Sequence, residues 1–255
     1  SVNYAMRDDT DVLIAYKMNG QNITPNNGFP VRCIVPGFIA GRSVKWLSKI
    51  EFSNEESNSH YHYYDNRVLP PEINSMSIAI EKQYIYKIDY MVNELNVNSV
   101  ICKPFHNEHI STCRGANKKY AVSGYAYSGG GRKITRIDVQ VDNEWISANI
   151  IYTPAGMIAP GRDWSMCFWV CYIDVNRLYD QQYISVRAVD DALNTQPENI
   201  IWNLYGIMNN VIYKIKIISR NGYLVFIHPV ANGSDKGGWM KNIQNEKIKT
   251  QNYTK

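Results

Sequence analysis

Residues 26–46 read NNGFPVRCIVPGFIAGRSVKW, and this stretch decides how the chain is interpreted. It sets Arg32, Arg42, Ser43 and Lys45 around an apolar run that is interrupted by glycines and prolines. Glycine lets the backbone approach a ligand closely, proline fixes turns, and arginine and serine donate hydrogen bonds to phosphate-like oxygens. The pattern therefore favours a cradle for a large anion, and a buried strand with solvated ends is the alternative.

The composition bears on several function classes. The chain has 255 residues, 45% of them hydrophobic, which is enough for one large domain or two ordinary ones. A net charge of +4, from 27 cations and 23 anions, gives no reason to expect nucleic-acid binding. The amino-terminal residues are polar, and no apolar run approaches the roughly 18 residues of a membrane span, so neither a signal peptide nor a membrane association is predicted.

The five cysteines are scattered and mostly have apolar neighbours, which suits buried thiols in a reducing compartment. Cys167 and Cys171 share the spacing C-x-x-x-C, but no histidine pair stands near them. His60 and His62 could share one face, yet no third ligand accompanies them. We therefore predict a cytoplasmic protein without a metal site made from these side chains, and interpret the histidines as structural or exposed.

The pattern of apolar and polar residues changes near Val97. Before it, element types are mixed, with a buried extended run predicted for residues 29–39 and a short helix predicted to begin at Ser43. After it, apolar and polar residues alternate in short runs, which indicates an antiparallel β-sandwich. The alternating apolar positions include Ile137, Val139 and Val141; Ile184, Val186 and Ala188; and Tyr213, Ile215 and Ile217. We predict segments at 1–97 and 98–244, with a linker or tail at 245–255.

Residues 26–46 resemble the pterin-binding stretch of the eukaryotic molybdenum oxidoreductases, the family of sulfite oxidase and assimilatory nitrate reductase. Further resemblances follow in the same order along the chain. They are DVLIAYKMNG (11–20), DNRVLP (65–70), NSVI (98–101), GYAYSGGGRKITR (124–136), NTQPE (194–198), IWNLYGIMNN (201–210) and GGWM (237–240). The resemblance implies an α+β chain, with part of a sulfite-oxidase-type molybdopterin domain followed by an immunoglobulin-like antiparallel β-sandwich through which two subunits form a homodimer.

The resemblance also implies a set of cofactor-binding residues. By position in the motif, Arg32, Ser43 and Lys45 match the family's contacts to the pterin and its phosphate, with the main chain of Val44 close by. Asn27 stands where the family usually has histidine. An amide can donate and accept hydrogen bonds, but it does not titrate near neutral pH, so proton handling at this position is not expected.

Two further positions bear on the substrate. Sulfite oxidases place tyrosine where Asn66 stands, whereas nitrate reductases have asparagine, so the resemblance favours nitrate. The Asn66 amide can donate to an oxygen of a planar monoanion without adding charge. At the position of Tyr205 sulfite oxidases tend to have arginine and nitrate reductases methionine. Tyr205 matches neither, and it is expected either to contact the substrate or simply to pack.

The resemblance thus implies part of a molybdenum enzyme that reduces nitrate to nitrite by oxygen-atom transfer in nitrate assimilation. Electrons would come from NADH or NADPH through FAD and a b-type haem on other domains. The metal-binding cysteine of the family is expected upstream of Ser1, so the Mo-molybdopterin site is incomplete here and the chain alone is expected to be inactive. The alternatives are a sulfite oxidase-type enzyme and a noncatalytic dimerising module or decayed paralogue that lacks this cysteine.

Overall fold

The computed structural model describes residues 1–111, 119–152, 161–179, 181–220, 222–230 and 237–241. Short elements make up the first part of the chain. Its helices are α1 (Val2–Ala5), α2 (His60–Tyr64) and α3 (Met76–Glu81), and its strands are β1 (Leu13–Ala15), β2 (Lys17–Met18), β3 (Gln21–Asn22) and β4 (Arg32–Ile34). β1 pairs antiparallel with β4, and β2 pairs antiparallel with β3. The described helices include none long and apolar enough to cross a membrane.

Helix α3 builds a small core in this part of the chain. Its first turn is capped by Ser75, whose hydroxyl accepts a hydrogen bond from Ile78 N, and this satisfies one of the free N–H groups of the helix start. The buried side chain of the helix is Ala79. It belongs to a cluster whose other buried members are Leu69, Ile73 and Ile85. Apolar side chains of the first part thus have a core of their own.

The second part of the chain is an antiparallel sandwich of two sheets. Its strands are β5 (Asn98–Lys103), β6 (His109–Ser111), β7 (Lys119–Tyr127), β8 (Ile134–Val141), β9 (Glu144–Ser147), β10 (Asn149–Ile151), β11 (Cys167–Asp174), β12 (Tyr183–Asp190), β13 (Tyr213–Arg220) and β14 (Tyr223–Ile227). One sheet has the order β10-β11-β7-β5 and the other β6-β14-β13-β12-β8-β9. The larger core lies between them, and Trp169 and Phe226 are its largest buried side chains.

The predicted alternation of the sandwich strands is confirmed. The apolar positions of β8 and β12 are buried, as are Ile215 and Ile217 of β13, while Tyr213 packs at the edge of the core. The polar residue Asp138 on β8 is buried as well. It is flanked by Arg136 and Arg187, each with its Nε 3.2 Å from the Asp138 carboxylate, and this pairing offsets the cost of burying a charge.

Two local predictions in the first part are wrong. Residues 29–39 contain only the three-residue strand β4, and the side chain of Phe29 is exposed. No helix begins at Ser43. Instead a 3₁₀ turn at Ala40–Arg42 ends there, and the Ser43 hydroxyl accepts a hydrogen bond from Val35 N at 3.1 Å. Trp46 has a φ of 52°, a left-handed conformation that an α-helix does not allow.

Candidate functional site

Residues 25–47, here called the cofactor loop, fold back along strand β4. Cys33 N donates to Val44 O at 2.8 Å, and Leu47 N donates to Val31 O at 2.9 Å. At the open end the indole Nε1 of Trp46 donates to Pro25 O at 2.9 Å. These bonds hold the two halves of the loop side by side. They therefore fix the backbone positions from which the basic side chains extend.

Gly28 brings two of the predicted cofactor-binding residues together. Its φ is 109°, in the left-handed region that favours glycine. A Cβ atom at Gly28 would lie 3.0 Å from Lys45 Cβ and 3.2 Å from Arg32 Cβ. Both cationic side chains therefore leave the backbone directly against Gly28, and any larger residue there would push them apart.

Hydrogen-bond donors remain available in this loop. Arg32 Nη1 donates to Asn27 O at 3.0 Å, but the buried Arg32 Nε meets no acceptor among the described residues. Lys45 Nζ donates to Asn26 O at 2.7 Å and has three protons to give. Because the Ser43 oxygen acts as an acceptor towards Val35 N, its own proton is available. An orphaned guanidinium N–H and an ammonium whose side chains both start at Gly28, with a free hydroxyl proton in the same loop, fit a phosphate-bearing anion.

The remaining two predicted cofactor residues lie in the same loop. Asn27 directs its amide Nδ2 to Thr24 Oγ1 at 3.0 Å, which leaves the amide oxygen as an acceptor. The carbonyl of Val44 accepts from Cys33 N, and its side chain is about half exposed. All five residues therefore lie in one loop, and Arg32, Ser43 and Lys45, together with the second Nδ2 proton of Asn27, keep donors.

Asn66 lies against the other end of the cofactor loop. A Cβ atom at Gly41 would lie 3.5 Å from Asn66 Oδ1 and 3.8 Å from its Nδ2, so the amide covers Gly41. Asn66 Nδ2 donates to Tyr61 O at 3.0 Å, which fixes the orientation of the amide. The second Nδ2 proton is left for another acceptor.

The segment 91–95, here called the strap, holds Asn66 and the cofactor loop in register. Ile39 N donates to Asn93 O at 2.7 Å, and Leu95 N donates to Gly37 O at 3.0 Å. Arg42 donates to Val92 O through Nε and Nη2, at 3.1 and 2.8 Å. On its other side, Val92 N donates to Asn66 O at 3.0 Å.

Tyr205 makes a different set of contacts. Its hydroxyl lies 3.8 Å from the sulfur of Met76 on α3, and its ring packs against the small core of the first part. Burial raises the pKa of Tyr205, and the nearby Asp65 carboxylate raises it further. The phenol is therefore protonated at neutral pH. Its contacts are with α3, whereas Asn66 contacts the cofactor loop.

Two protein-family models match the sequence of this chain. Residues 89–220 match the Mo-co oxidoreductase dimerisation domain, which covers the strap and most of the sandwich. The chain belongs to this molybdenum-cofactor oxidoreductase family. Residues 1–61 match the oxidoreductase molybdopterin binding domain, and this match contains the whole cofactor loop.

Relatives of this family member are plant nitrate reductases. The chain is 43% identical to "Nitrate reductase [NADH]" of Solanum lycopersicum over 93% of its own length and 27% of that protein. It is 45% identical to "Nitrate reductase [NAD(P)H]" of Hordeum vulgare over 92% of its own length and 27% of that protein. The chain therefore spans about a quarter of the length of the curated relatives it matches.

A solved structure shares the fold. The sulfane dehydrogenase SoxCD from Paracoccus pantotrophus superposes with a TM-score of 0.61 over 88% of this chain and 52% of that chain. The sequence identity is 22%, so the likeness concerns the fold alone.

A polar network in this member of the family was not predicted from the sequence. Arg42, Glu56, His62 and Arg67 are linked by hydrogen bonds beside Asn66. Two of these residues lie in motifs that resemble the family, Arg42 in the cofactor loop and Arg67 directly after Asn66. Their position in these motifs was the only sign in the sequence that they belong near the site. His62 was interpreted as structural or exposed, and its side chain is largely buried between Arg42 and Glu56.

Metal ligands are not clustered in the part of the chain that the structure describes. No group of three or more histidine, cysteine or acidic side chains comes together within it. Cys33, Cys102, Cys167 and Cys171 are free thiols, and Cys113 lies outside the described residues. Burial raises the pKa of Cys167 to about 11, so this thiol is not a nucleophile at neutral pH.

Proposed function

We propose that the chain is part of a molybdenum enzyme that reduces nitrate to nitrite in nitrate assimilation. The observation that carries the proposal is the Asn66 amide over Gly41 of the cofactor loop, in a chain whose relatives are named nitrate reductases. A bound molybdenum–pterin supplies the two-electron centre for the balance NO₃⁻ + 2e⁻ + 2H⁺ → NO₂⁻ + H₂O. The electrons come from NADH or NADPH through FAD and haem b on other parts of the protein.

We assign the cofactor loop the role of holding the pterin phosphate. Arg32, Ser43 and Lys45 donate hydrogen bonds to its oxygens, with Asn27 and the main chain of Val44 beside them. The buried Arg32 Nε has no acceptor among the residues that the structure describes. This supports the assignment, because a charged N–H buried without an acceptor is costly unless a ligand supplies one.

Asn66 orients the substrate in this proposal. One Nδ2 proton is committed to Tyr61 O, and the other donates to a nitrate oxygen. Because the amide is neutral and oriented by its bond to Tyr61 O, it places the planar anion without changing the charge of the site. Tyr205 stays a second substrate-contact proposal, and packing against α3 is the alternative role that its contact with Met76 supports.

The family and the surface of the sandwich support a homodimer. On β11 the outward residues from Phe168 to Tyr172 carry no charge, and these two rings are 48% and 58% exposed. They lie beside β7, where Phe168 pairs with Tyr125. The outer face of the other sheet instead carries Arg136, Arg187 and Lys216. Uncharged exposed aromatic surface marks an interface, so we place a second copy of the chain on the four-stranded sheet.

Four further assignments complete the proposal. We propose that the sandwich is immunoglobulin-like and that the domain boundary lies at Val97, which is supported by separate buried cores before and after it. Residues 245–255, a proposed linker or tail, lie outside the described residues. We propose a cytoplasmic location, supported by the free thiols of the described part.

The proposal is tested by substitution of Asn66 in the full-length protein that carries this chain. Asn66→Tyr should abolish most nitrate reduction, because the phenol replaces the oriented amide, while the molybdenum and pterin content stays unchanged. Asn74→Tyr, an exposed asparagine ahead of α3, is the matched control. Wild-type kcat/KM for nitrate in Asn66→Tyr would refute the substrate assignment, and sulfite turnover by the unmodified protein would favour the sulfite oxidase-type alternative.

A further inference from the structure

A concave site of about 310 Å³, here called the sheet site, is lined by Gln140, Asp142, Ser185 and Lys214 among others. It lies on the six-stranded sheet, where the end of β8 and the starts of β12 and β13 meet the β8–β9 turn. Sites for small molecules have volumes of roughly 300–1,000 Å³, so this one suits a small ligand. Because the sheet lies opposite the proposed dimer face, a second copy of the chain leaves the site open.

The floor of the sheet site is a row of three polar side chains. Ser185 on β12 pairs directly with Gln140 on β8 and with Lys214 on β13. Residues that face each other on antiparallel strands point to the same side of the sheet. The adjacent Val186 and Ile215 are buried in the core between the sheets, so the row faces outward. A hydroxyl, an amide and an ammonium thus lie side by side across three strands.

Ser185 distinguishes this row from an ordinary polar surface. It faces outward and yet is only 3% exposed, so it lies at the bottom of the concave site. Its hydroxyl makes no hydrogen bond with any residue that the structure describes. A hydroxyl withdrawn from solvent without a partner is unfavourable unless a bound molecule supplies one. The Ser185 hydroxyl therefore indicates a ligand.

Two opposite charges line the sheet site without neutralising each other. Lys214 extends from β13, and its ammonium forms no hydrogen bond or ion pair within the described part of the chain. Asp142 lies in the β8–β9 turn, and its Oδ1 accepts from Gln181 Nε2 at 3.2 Å, which leaves Oδ2 for another donor. A ligand with one positive and one negative charge would pair with both groups. A simple anion would instead meet the Asp142 carboxylate.

The GGWM motif at 237–240, which the cofactor loop does not use, supports one rim of the site. Trp239 Nε1 donates to Lys214 O at 2.9 Å, and the Trp239 ring meets the ring of Tyr183 edge-on at 5.7 Å. Trp239 N in turn donates to His228 O at 3.0 Å. The backbone that carries the ammonium is therefore fixed before a ligand arrives, and such preorganisation favours binding.

We propose that the sheet site binds a free α-amino acid with a polar, uncharged side chain. The ligand carboxylate takes hydrogen bonds from the Lys214 ammonium and the Ser185 hydroxyl, and the ligand ammonium donates to Asp142. The Gln140 amide, which can both donate and accept, faces the ligand side chain. An amide side chain such as that of glutamine is its complement.

Isothermal titration calorimetry of the full-length protein with L-glutamine tests the proposal. We expect one saturable site per chain, with a dissociation constant of about 1 mM or below. Lys214→Met and Asp142→Asn should each weaken binding by at least about tenfold, because a hydrogen bond between charged groups is lost. Asparagine also tolerates the left-handed φ of 56° at position 142. Lys216→Met, two residues along β13 and outside the lining, is the matched control and should bind like wild type.

Two analogues of glutamine test the two charges separately. The analogue without the α-amino group should bind wild type at least about tenfold more weakly than L-glutamine does. Asp142→Asn should no longer discriminate between the two compounds, because the partner of the ammonium is gone. Glutamine α-amide, which lacks the carboxylate, should show the same loss of discrimination in Lys214→Met.

The absence of saturable heat with L-glutamine up to about 10 mM would overturn the proposal. An affinity that is unchanged in folded Lys214→Met and Asp142→Asn would overturn it as well, and circular dichroism checks the fold. If these variants do not fold, Ser185→Ala decides, since it removes one oxygen atom and should weaken binding by roughly 2- to 10-fold. Binding of inorganic phosphate without binding of L-glutamine would refute the assigned ligand class. Because no measurement uses turnover, the outcome is independent of the nitrate assignment.

Discussion

The indole ring of Trp164 lies against the α-carbon of Gly37. A Cβ atom at Gly37 would meet the Cζ3 atom of this ring at 2.9 Å and Gly130 N at 2.8 Å. Trp164 Nε1 also donates to Asp11 Oδ2 at 2.6 Å. Nearby, Arg162 bonds both Gly130 O and Asp9. The cofactor loop and the sandwich therefore meet at a glycine, and this contact leaves no room for a methyl group.

We predict that Gly37→Ala destabilises the protein more than a glycine substitution in open space. Both Gly37 and Gly20 have left-handed φ values, 72° and 79°, so alanine strains the backbone at each. Only Gly37 adds steric overlap, which typically costs about 1–3 kcal/mol. Urea unfolding should show this excess over Gly20→Ala, and equal losses in the two variants would contradict the close contact.

We predict that Arg32→Met reduces the cofactor content of the full-length protein. A hydrogen bond to a charged group contributes about 1.5–3 kcal/mol, which corresponds to roughly a 10- to 100-fold loss of affinity. Molybdenum and released pterin can be measured in the purified protein. Lys49→Met, in which an exposed cation just outside the loop is removed, serves as the control. An equal cofactor content in the two variants would exclude Arg32 from the site.

We predict that Phe168→Lys converts the homodimer to monomers. Lysine introduces a charge into the uncharged outward row from Phe168 to Tyr172 on β11, where burial without a partner is costly. Light scattering after size-exclusion chromatography measures the mass. Ile218→Lys, at a 41% exposed position on β13, is the matched control and should stay dimeric. A Phe168→Lys dimer, or an Ile218→Lys monomer, would place the interface elsewhere.

We predict that His228 makes stability depend on pH. His228 Nε2 lies 2.8 Å from Pro104 O, its Nδ1 lies 2.8 Å from the Tyr213 hydroxyl, and His106 is close by. Burial lowers the pKa of His228 below its ordinary 6.5. The unfolded chain therefore binds the proton more readily. The contribution of His228 to stability is complete above about pH 6.5 and falls as the pH drops through the folded-state pKa.

Urea unfolding at pH 7.5 and pH 5 measures this contribution. The difference in unfolding free energy between wild type and His228→Gln should shrink at the lower pH. His109→Gln, at an exposed histidine, should show no such change. A wild-type advantage over His228→Gln that is the same at both pH values would contradict the prediction.

The sandwich could be predicted from the sequence because each strand has one buried face. The alternation at Ile137, Val139 and Val141 specifies that face without knowledge of the partner strand. The burial of Asp138 could not be predicted this way. It depends on Arg187, which lies on the paired strand β12. The helix predicted at Ser43 is absent for a related reason. The Ser43 hydroxyl accepts a hydrogen bond from Val35 N across the loop and does not cap a helix.

The candidate site was predictable in part. The five proposed cofactor residues are close in sequence, so one motif located them together. The contact between Asn66 and Gly41 joins two motifs and required the tertiary structure. The polar network of Arg42, Glu56, His62 and Arg67 could not be predicted, because its members come from three segments and Glu56 lies in a stretch with no recognisable motif. Side-chain hydrogen bonds across such distances leave no periodicity in a single sequence.

The strap acts at Val92 through its peptide groups alone, since N–H serves Asn66 and the carbonyl serves Arg42. Any residue with an N–H group and a side chain that fits the buried space can provide these two bonds, and proline is the exception. The spacing between Asn66 and the cofactor loop is thus insensitive to ordinary mutation at position 92. An engineer who wishes to loosen this geometry should replace the peptide bond, for example with an ester, rather than exchange the side chain.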